Sequence, residues 1–315
     1  MKVLFIDNTH PLLTEKLTAM GFTCEAFTGS SIAELMAIIS DYTGVIIRSK
    51  FALDKSIIDK ATKLKFIGRV GSGMESIDVA YAEKKGIACL SSPEGNRDAV
   101  GEHTLGLLLC LLNKIAFADS QIRKGIRQRE ASRGVEIKGK TVAIIGYGHM
   151  GSAFAKCISG FGAEVIAYDK YKTNYSDTYV RETSLEDVFE KADIISLHVP
   201  LTEETHYMVD ELFIEKFEKK FYLINTSRGQ VVKTEALTEA LKKGKILGAG
   251  LDVIEYESVS FEKLESTALP EAYKYLVKSE NVVMTPHVAG WTNESKVKLV
   301  EVLAEKIKKV IGYFQ

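Results

Sequence analysis

Short apolar runs that alternate with segments of helical spacing set the strongest limit on how this chain folds. Residues 3–6, 45–47, 66–70 and 87–90 read as strands in the first third. Residues 142–145, 165–168, 194–199, 222–225, 247–253 and 282–284 read as strands further on. The runs are continuously apolar rather than alternating, which marks strands buried on both faces. Helical patterns lie between most of them, such as 32–39, 154–161 and 235–243. The sequence therefore predicts an α/β fold of βαβ units with parallel sheets. The length, 315 residues, suits two domains.

The longest predicted helix runs over 98–124, and its part 105–112 is apolar nearly all round, so it is expected to be buried. A helix of that length suits a bridge between domains or a subunit interface. Gly134 and Gly139 mark a link into the unit that follows. Pro93, Pro200 and Pro286 each follow an apolar run, where a strand ends and a loop begins. Loops at the carboxyl ends of parallel strands are where such sheets bind ligands.

Composition narrows the functional classes. Lys plus Arg number 41 and Asp plus Glu 42, a net charge of −1. That balance carries no electrostatic footprint for nucleic acid or an anionic membrane. The apolar stretch 105–112 is far below the roughly 18 residues of a membrane span. The opening run is too short for a signal peptide and ends at Asp7. Cys24, Cys89, Cys110 and Cys157 are scattered without CxxC spacing, so they are read as reduced thiols of a cytoplasmic protein. No pair of histidines has metal-ligand spacing, and no metal is expected.

The most specific motif is Gly146-Tyr147-Gly148-His149-Met150-Gly151. It follows the predicted strand 141–145, opens a predicted helix over 152–161, and precedes a strand that ends at Asp169. Together these make the dinucleotide-binding fingerprint. Gly146 permits the tight turn, Gly148 lets the backbone approach a pyrophosphate, and Gly151 lets helix and strand pack closely. The helix N-terminus offers N–H groups and partial positive charge to the phosphates. Asp169 is placed to accept hydrogen bonds from the adenosine ribose and to repel a 2′-phosphate, which favours NAD over NADP. Lys170 and Lys172 act against that preference.

Four more segments sit at predicted strand ends: His198-Val199-Pro200-Leu201, Asn225-Thr226-Ser227-Arg228-Gly229, Leu251 to Glu257, and Thr285-Pro286-His287. After a dinucleotide motif they supply a guanidinium, a carboxylate and an imidazole. Hydride transfer to a 2-keto acid needs such a set. Arginine grips a carboxylate and polarises a carbonyl, while histidine delivers the proton and an adjacent carboxylate stabilises imidazolium. The other histidines read as ordinary. His10, His149 and His206 fall in loops or helix starts, His103 is structural within the long helix, and His198 ends a strand near the coenzyme.

With these motifs the whole chain resembles the D-isomer-specific 2-hydroxyacid dehydrogenases. The resemblance implies that Arg228 binds and polarises substrate, that His287 is the acid–base group, and that Glu257 is its partner. Asp252, five residues before Glu257, supports the histidine or the nicotinamide end. His198, Val199, Pro200, Thr226 and Ser227 complete the NAD side. The segment from Arg69 through Gly71, Ser72, Gly73 and Met74 resembles the family's glycine-rich substrate loop, whose N–H groups suit a carboxylate. Asn96 resembles the residue that begins the interdomain helix and faces the cleft. The implied architecture is two Rossmann-like or flavodoxin-like domains around an active-site cleft. The substrate domain is 1–94 plus 291–315, and the coenzyme domain is 95–290.

Two departures stand out. Ser258 follows Glu257 where the family commonly has proline, and 258–281 is longer than usual, with Phe261, Tyr273 and Tyr275; Glu255 is the fallback carboxylate. Arg48 and Arg69 resemble positions that are basic in D-3-phosphoglycerate dehydrogenases, as a phosphate dianion requires. This favours 3-phosphoglycerate and serine biosynthesis over hydroxypyruvate, glyoxylate or lactate. The chain ends after a closing helix over 295–313, so a regulatory domain and serine feedback are not expected. The resemblance also implies a homodimer. Rival readings are an NAD(H)-sensing corepressor, which can retain the same triad, and a formate dehydrogenase, which has little use for Arg48 and Arg69.

Overall fold

The computed structural model describes residues 1–257 and 269–312. Ser258, Phe261 and the first part of the 258–281 stretch lie outside the described residues, as does residue 313 of the expected closing helix. The chain forms two compact units, Met1–Asn96 with Trp291–Gln315, and Arg97–Gly290.

The first unit is built from β1 (Lys2–Phe5), α1 (Pro11–Ala19), β2 (Thr23–Ala26), α2 (Ile32–Ile38), β3 (Gly44–Ile47), α3 (Lys55–Lys60), β4 (Phe66–Arg69), α4 (Val79–Lys84) and β5 (Ala88–Ser91). Its five parallel strands lie in the order β2-β1-β3-β4-β5. That is the flavodoxin-like order, with its switch point between β1 and β3. Alternate residues of β1, with Ile6 just after it, serve opposite faces. Leu4 and Ile6 join Leu35, Ile39, Ile57 and Ile58, while Val3 and Phe5 join Leu13, Leu17 and Phe66. Both faces are covered, which is why the run reads as unbroken apolar sequence. The closing helix, Asn293–Ile311, completes the second face with Val300, Leu303, Ala304 and Ile307. A reciprocal Thr292–Ser295 cap starts it.

The second unit opens with α5 (Arg97–Leu112) and α6 (Ile115–Arg123). There follow β6 (Thr141–Ile145), α7 (His149–Ile158), β7 (Glu164–Tyr168), β8 (Arg181–Glu182), α8 (Leu185–Lys191), β9 (Ile194–Leu197), α9 (Glu211–Glu215), β10 (Phe221–Asn225), α10 (Thr234–Lys242), β11 (Ile246–Leu251), α11 (Glu271–Lys278) and β12 (Val282–Met284). All seven strands are parallel, in the order β12-β11-β10-β9-β6-β7-β8. Relabelled within the unit this is 3-2-1-4-5-6 with one strand added, the dinucleotide-binding order. Val142 and Ile144 pack with Leu108, Leu111, Phe154 and Ile158 on one face. Ala143 and Ile145 pack with the α8–α10 side on the other.

Four expectations are corrected. The single helix over 98–124 is two helices whose axes bend by 61°. Lys114, between them, takes a left-handed φ of 50°. The break follows from environment: α5 buries one face, with Val100, Thr104, Leu107, Leu108 and Leu111, and leaves Asp98, Glu102 and Gly106 exposed, so the expected burial all round 105–112 is not found, whereas α6 buries none of its side chains. Val135 N–H donates to the Leu112 carbonyl at 3.0 Å and ties off the end of α5. β9 and β11 end at Leu197 and Leu251, two residues sooner than expected. The helix after the glycine motif begins at His149 rather than at residue 152.

No single helix among the described residues is long and apolar enough to cross a membrane.

Candidate active site

The turn from β6 into α7 is dictated by its glycines. Gly146 has a φ of 94°, and a Cβ there would lie 2.6 Å from the His198 carbonyl oxygen. A Cβ on Gly151 would lie 2.1 Å from the Gly146 carbonyl oxygen, so only glycine lets α7 sit this close to the strand end. A Cβ on Gly148 would meet nothing within 4 Å, which leaves its backbone face open to a ligand. Gly148 caps α7, whose first-turn N–H groups the helix itself does not bond. This cradle fits a dinucleotide pyrophosphate. Tyr147 turns its ring inward, donates to Asp177 at 2.7 Å and stacks on Tyr175; only its backbone belongs to the turn.

Asp169, just past β7, accepts N–H bonds from Tyr147 at 2.9 Å and Tyr171 at 3.0 Å. Its carboxylate thus stands beside the glycine turn. Lys170 pairs with Glu204, and Lys172 Nζ donates to the Tyr147 carbonyl at 2.5 Å. His198 follows β9 on the other side of the switch point. Its ring lies 5.6 Å from Phe154, Nε2 contacts Ser196 Oγ at 2.8 Å, and the buried Nδ1 has no partner. Burial pushes its pKa down to about 3, so the ring is neutral.

After β10, buried Asn225 folds its own loop. Oδ1 accepts from Ser227 N–H at 3.0 Å and Oγ–H at 2.8 Å, and Nδ2 donates to the Arg228 carbonyl at 3.0 Å. Thr226 meets Thr104 of α5 at 3.0 Å. Arg228 projects from this turn, with Nη1 donating to the Ser227 carbonyl at 2.7 Å. A Cβ on Gly229 would fall 2.0 Å from Ile254 backbone atoms, so the loops after β10 and β11 meet only because residue 229 is glycine.

The loops after β11 and β12 join at Asp252, which is fully buried. Its Oδ1 accepts from Thr285 Oγ at 2.5 Å and Val288 N–H at 2.9 Å, and its Oδ2 accepts from Ala289 N–H at 2.8 Å. Its carbonyl accepts His287 N–H at 2.7 Å. Burial alone would raise the Asp252 pKa, but the donors from His103, Thr285, Val288 and Ala289 outweigh it and hold the carboxyl below its usual range. His287 sits at a φ of 55°, rare for a residue with a Cβ. Its Nδ1 lies 2.8 Å from Glu257 Oε2, and Glu257 Oε1 accepts Ile254 N–H at 2.8 Å. Glu255, the fallback, faces elsewhere: it accepts from Tyr207 at 2.6 Å and Thr234 N–H at 2.8 Å.

In the first unit, Arg48 follows β3 at the switch point, with its N–H donating to Asp7 Oδ2 at 2.6 Å. Its guanidinium lies 4.7 Å over the Trp291 ring. Arg69 ends β4 and crosses Gly71, where a Cβ would sit 1.3 Å from its Nη1. Ser72 Oγ donates to Asn96 Oδ1 at 2.7 Å. Gly73 and Met74 continue the loop. Sequence reasoning missed Trp291. It named Thr285 only as part of the Thr285-Pro286-His287 segment and read His103 as structural, because a histidine in an apolar helix gives no signal of a partner. Among the described residues, no group of three or more His, Cys, Asp or Glu could hold a metal ion.

The family profile described as D-isomer specific 2-hydroxyacid dehydrogenase, NAD binding domain, matches residues 105–289. The hydroxypyruvate reductase of Thermotoga maritima is 37% identical, over 89% of this chain and 88% of its own. The D-3-phosphoglycerate dehydrogenase of Methanocaldococcus jannaschii is 34% identical over 99% of this chain, which spans only 57% of that relative. A D-lactate dehydrogenase from Aquifex aeolicus, solved with NAD and lactic acid, superposes with a TM-score of 0.83 and 27% identity, covering 99% of this chain and 97% of the other.

Proposed function

Because the chain belongs to the D-isomer-specific 2-hydroxyacid dehydrogenases, a family of NAD-dependent enzymes, we propose that it interconverts a D-2-hydroxy acid and its 2-keto acid through Arg228, Glu257 and His287. The observation that carries this reading is the 2.8 Å contact of His287 Nδ1 with Glu257, on a backbone held at a φ of 55°. Strained backbone of this kind persists where the surrounding structure over-determines it.

With Nδ1–H donating to Glu257, the tautomer of His287 is fixed and Nε2 is the nitrogen that exchanges a proton with substrate. Protonated, it gives that proton to a keto oxygen; neutral, it takes one from a hydroxyl. Arg228 grips the substrate carboxylate and polarises the adjacent carbonyl. In this reading Gly146, Tyr147, Gly148, His149, Met150 and Gly151 hold the pyrophosphate and Asp169 the ribose. His198, Val199, Pro200, Thr226, Ser227 and Asp252 line the nicotinamide side. When bound, the nicotinamide supplies or accepts the hydride. Gly71, Ser72, Gly73, Met74 and Asn96 serve the substrate carboxylate.

For the substrate, we favour 3-phosphohydroxypyruvate and D-3-phosphoglycerate, which would place the enzyme in serine biosynthesis as a cytoplasmic homodimer. Arg48 supports this, because a guanidinium held 4.7 Å over the Trp291 ring adds a second cationic group to the candidate set, as a phosphate requires. Arg69 supports it less, since its side chain folds back over Gly71. Hydroxypyruvate or glyoxylate is the second reading, favoured by the near-full-length match to a hydroxypyruvate reductase. The test of the reacting set is His287→Ala. Its kcat should fall by about 10²–10⁴-fold, with NADH affinity nearly unchanged. Near-normal turnover would remove His287 from the mechanism.

A further inference from the structure

We propose that His103, on α5, is a positioning residue for His287 and acts through Thr285 and Asp252. The proposal rests on the reading of His287 as the acid–base group.

His287 N–H, Val288 N–H and Ala289 N–H each donate to Asp252, the first to its carbonyl and the other two to its carboxylate. The geometry around Thr285 then fixes what His103 must do. A hydroxyl has one proton to give. Thr285 gives its own to Asp252 Oδ1 at 2.5 Å. His103 Nε2 lies 3.0 Å from the same hydroxyl oxygen. That oxygen is therefore an acceptor toward His103, and Nε2 must carry a hydrogen. The same nitrogen lies 3.4 Å from Asp252 Oδ1. His103, Thr285 and Asp252 thus close a triangle with one consistent direction of donation.

The three corners differ in what supports them. Asp252 and Thr285 lie just past the ends of β11 and β12, on loops. His103 sits in the middle of a 16-residue helix that packs its apolar side chains onto the sheet. The imidazole therefore mounts two loops on a rigid element. Thr285 stands two residues before His287, with Pro286 between them. His287 N–H bonds both the Asp252 carbonyl and the Thr285 carbonyl, at 2.7 and 3.1 Å. Letting Thr285 move releases the turn that holds His287 left-handed and aims Nδ1 at Glu257. The polar contacts of His103 described here go to Thr285 and Asp252, so its effect is on placement rather than on the proton transfer itself.

The experiment measures kcat, both KM values and NADH Kd for His103→Leu, His103→Gln, Thr285→Val and the Leu/Val double variant, with His287→Ala alongside. Leucine removes the donor. Glutamine carries an amide N–H at about the reach of Nε2. His103→Leu should lower kcat roughly 10–100-fold, the cost of misplacing a reacting group by about an ångström. KM and NADH Kd should stay within threefold. His103→Gln should restore most of the loss, and the double variant should be little worse than the worse single one, since both act through one hydroxyl. Should leucine prevent folding, His103→Asn, whose amide falls short of the Nε2 position, takes its place. The proposal is overturned if His103→Leu turns over normally while His287→Ala is inactive. It is also overturned if glutamine is no better than leucine, if the losses multiply in the double variant, or if KM alone moves. Normal turnover by His287→Ala would instead sink the reading beneath it, and this proposal with it.

Discussion

His198 and Asp252 are buried titratable groups just past the ends of β9 and β11 in the same sheet, and their surroundings act on them in opposite ways. Asp252 is surrounded by donors that keep it charged. His198 has one hydroxyl contact and an unpartnered Nδ1, so burial keeps it neutral with a pKa near 3. The ordinary imidazole value is 6.5. Between 6.5 and about 3 the unfolded chain therefore binds the extra proton and the folded chain does not. Stability falls as pH drops through that window, by about 1.4 kcal/mol per pH unit from this residue at most. His198→Asn should flatten the loss of unfolding free energy between pH 7 and pH 4.5, measured by urea denaturation. Equal slopes in the two proteins would contradict the neutral assignment. Asp252, with a depressed pKa, contributes stability above the normal carboxylate range and loses it only as pH falls through its lower folded value. At this scale the sequence was legible where a residue type dictates a turn, as at Gly146, whose positive φ the motif anticipates. It was silent where a side chain acts from the middle of an apolar helix, as His103 does, because nothing in its neighbours distinguishes a partner from packing.

Among the elements, strands that carry an apolar run announce themselves, the edge strands β5 and β12 included, and the polar edge strands β2 and β8 do not. β3 is buried at all four positions, and its apolar run stands out. β2 reads Thr-Cys-Glu-Ala with both ends exposed, and β8 has two residues, so neither carries a strand pattern. The break between α5 and α6 was hidden because apolar spacing continues through it. Lys114→Gly tests it. At a left-handed residue glycine removes a backbone penalty of about 1 kcal/mol, whereas inside a continuous helix it would cost about that much. Thermal unfolding should show stability unchanged or raised; a drop of that size would favour an unbroken helix. The 258–281 stretch is partly explained. Its described part forms α11, which buries Leu276, and Tyr273 meets Tyr256 edge-on.

At the scale of the whole molecule, two parallel sheets of different strand order reproduce one rule. Each places its candidate residues at the carboxyl ends of strands, beside or near the switch point. In the second unit these are the turn after β6 and the loops after β9 to β12; in the first they are Arg48 and the 71–74 loop. Strand order was not readable from the sequence, because apolar runs tell which residues pair into sheets but not which strands are neighbours. The substrate was hard to read for a related reason. Arg48 and Arg69 are visible as charges, while the placement of one over Trp291 and the folding of the other across Gly71 emerge only in three dimensions. The central claim is that this chain turns over a 2-keto acid with NADH rather than sensing the dinucleotide. It is tested most directly by NADH oxidation with matched concentrations of 3-phosphohydroxypyruvate, hydroxypyruvate, glyoxylate and pyruvate. Turnover is expected, fastest with the phosphorylated acid; preference for an unphosphorylated acid would correct the substrate alone, and tight NADH binding with no turnover of any of the four would make the chain a dinucleotide sensor instead of a dehydrogenase.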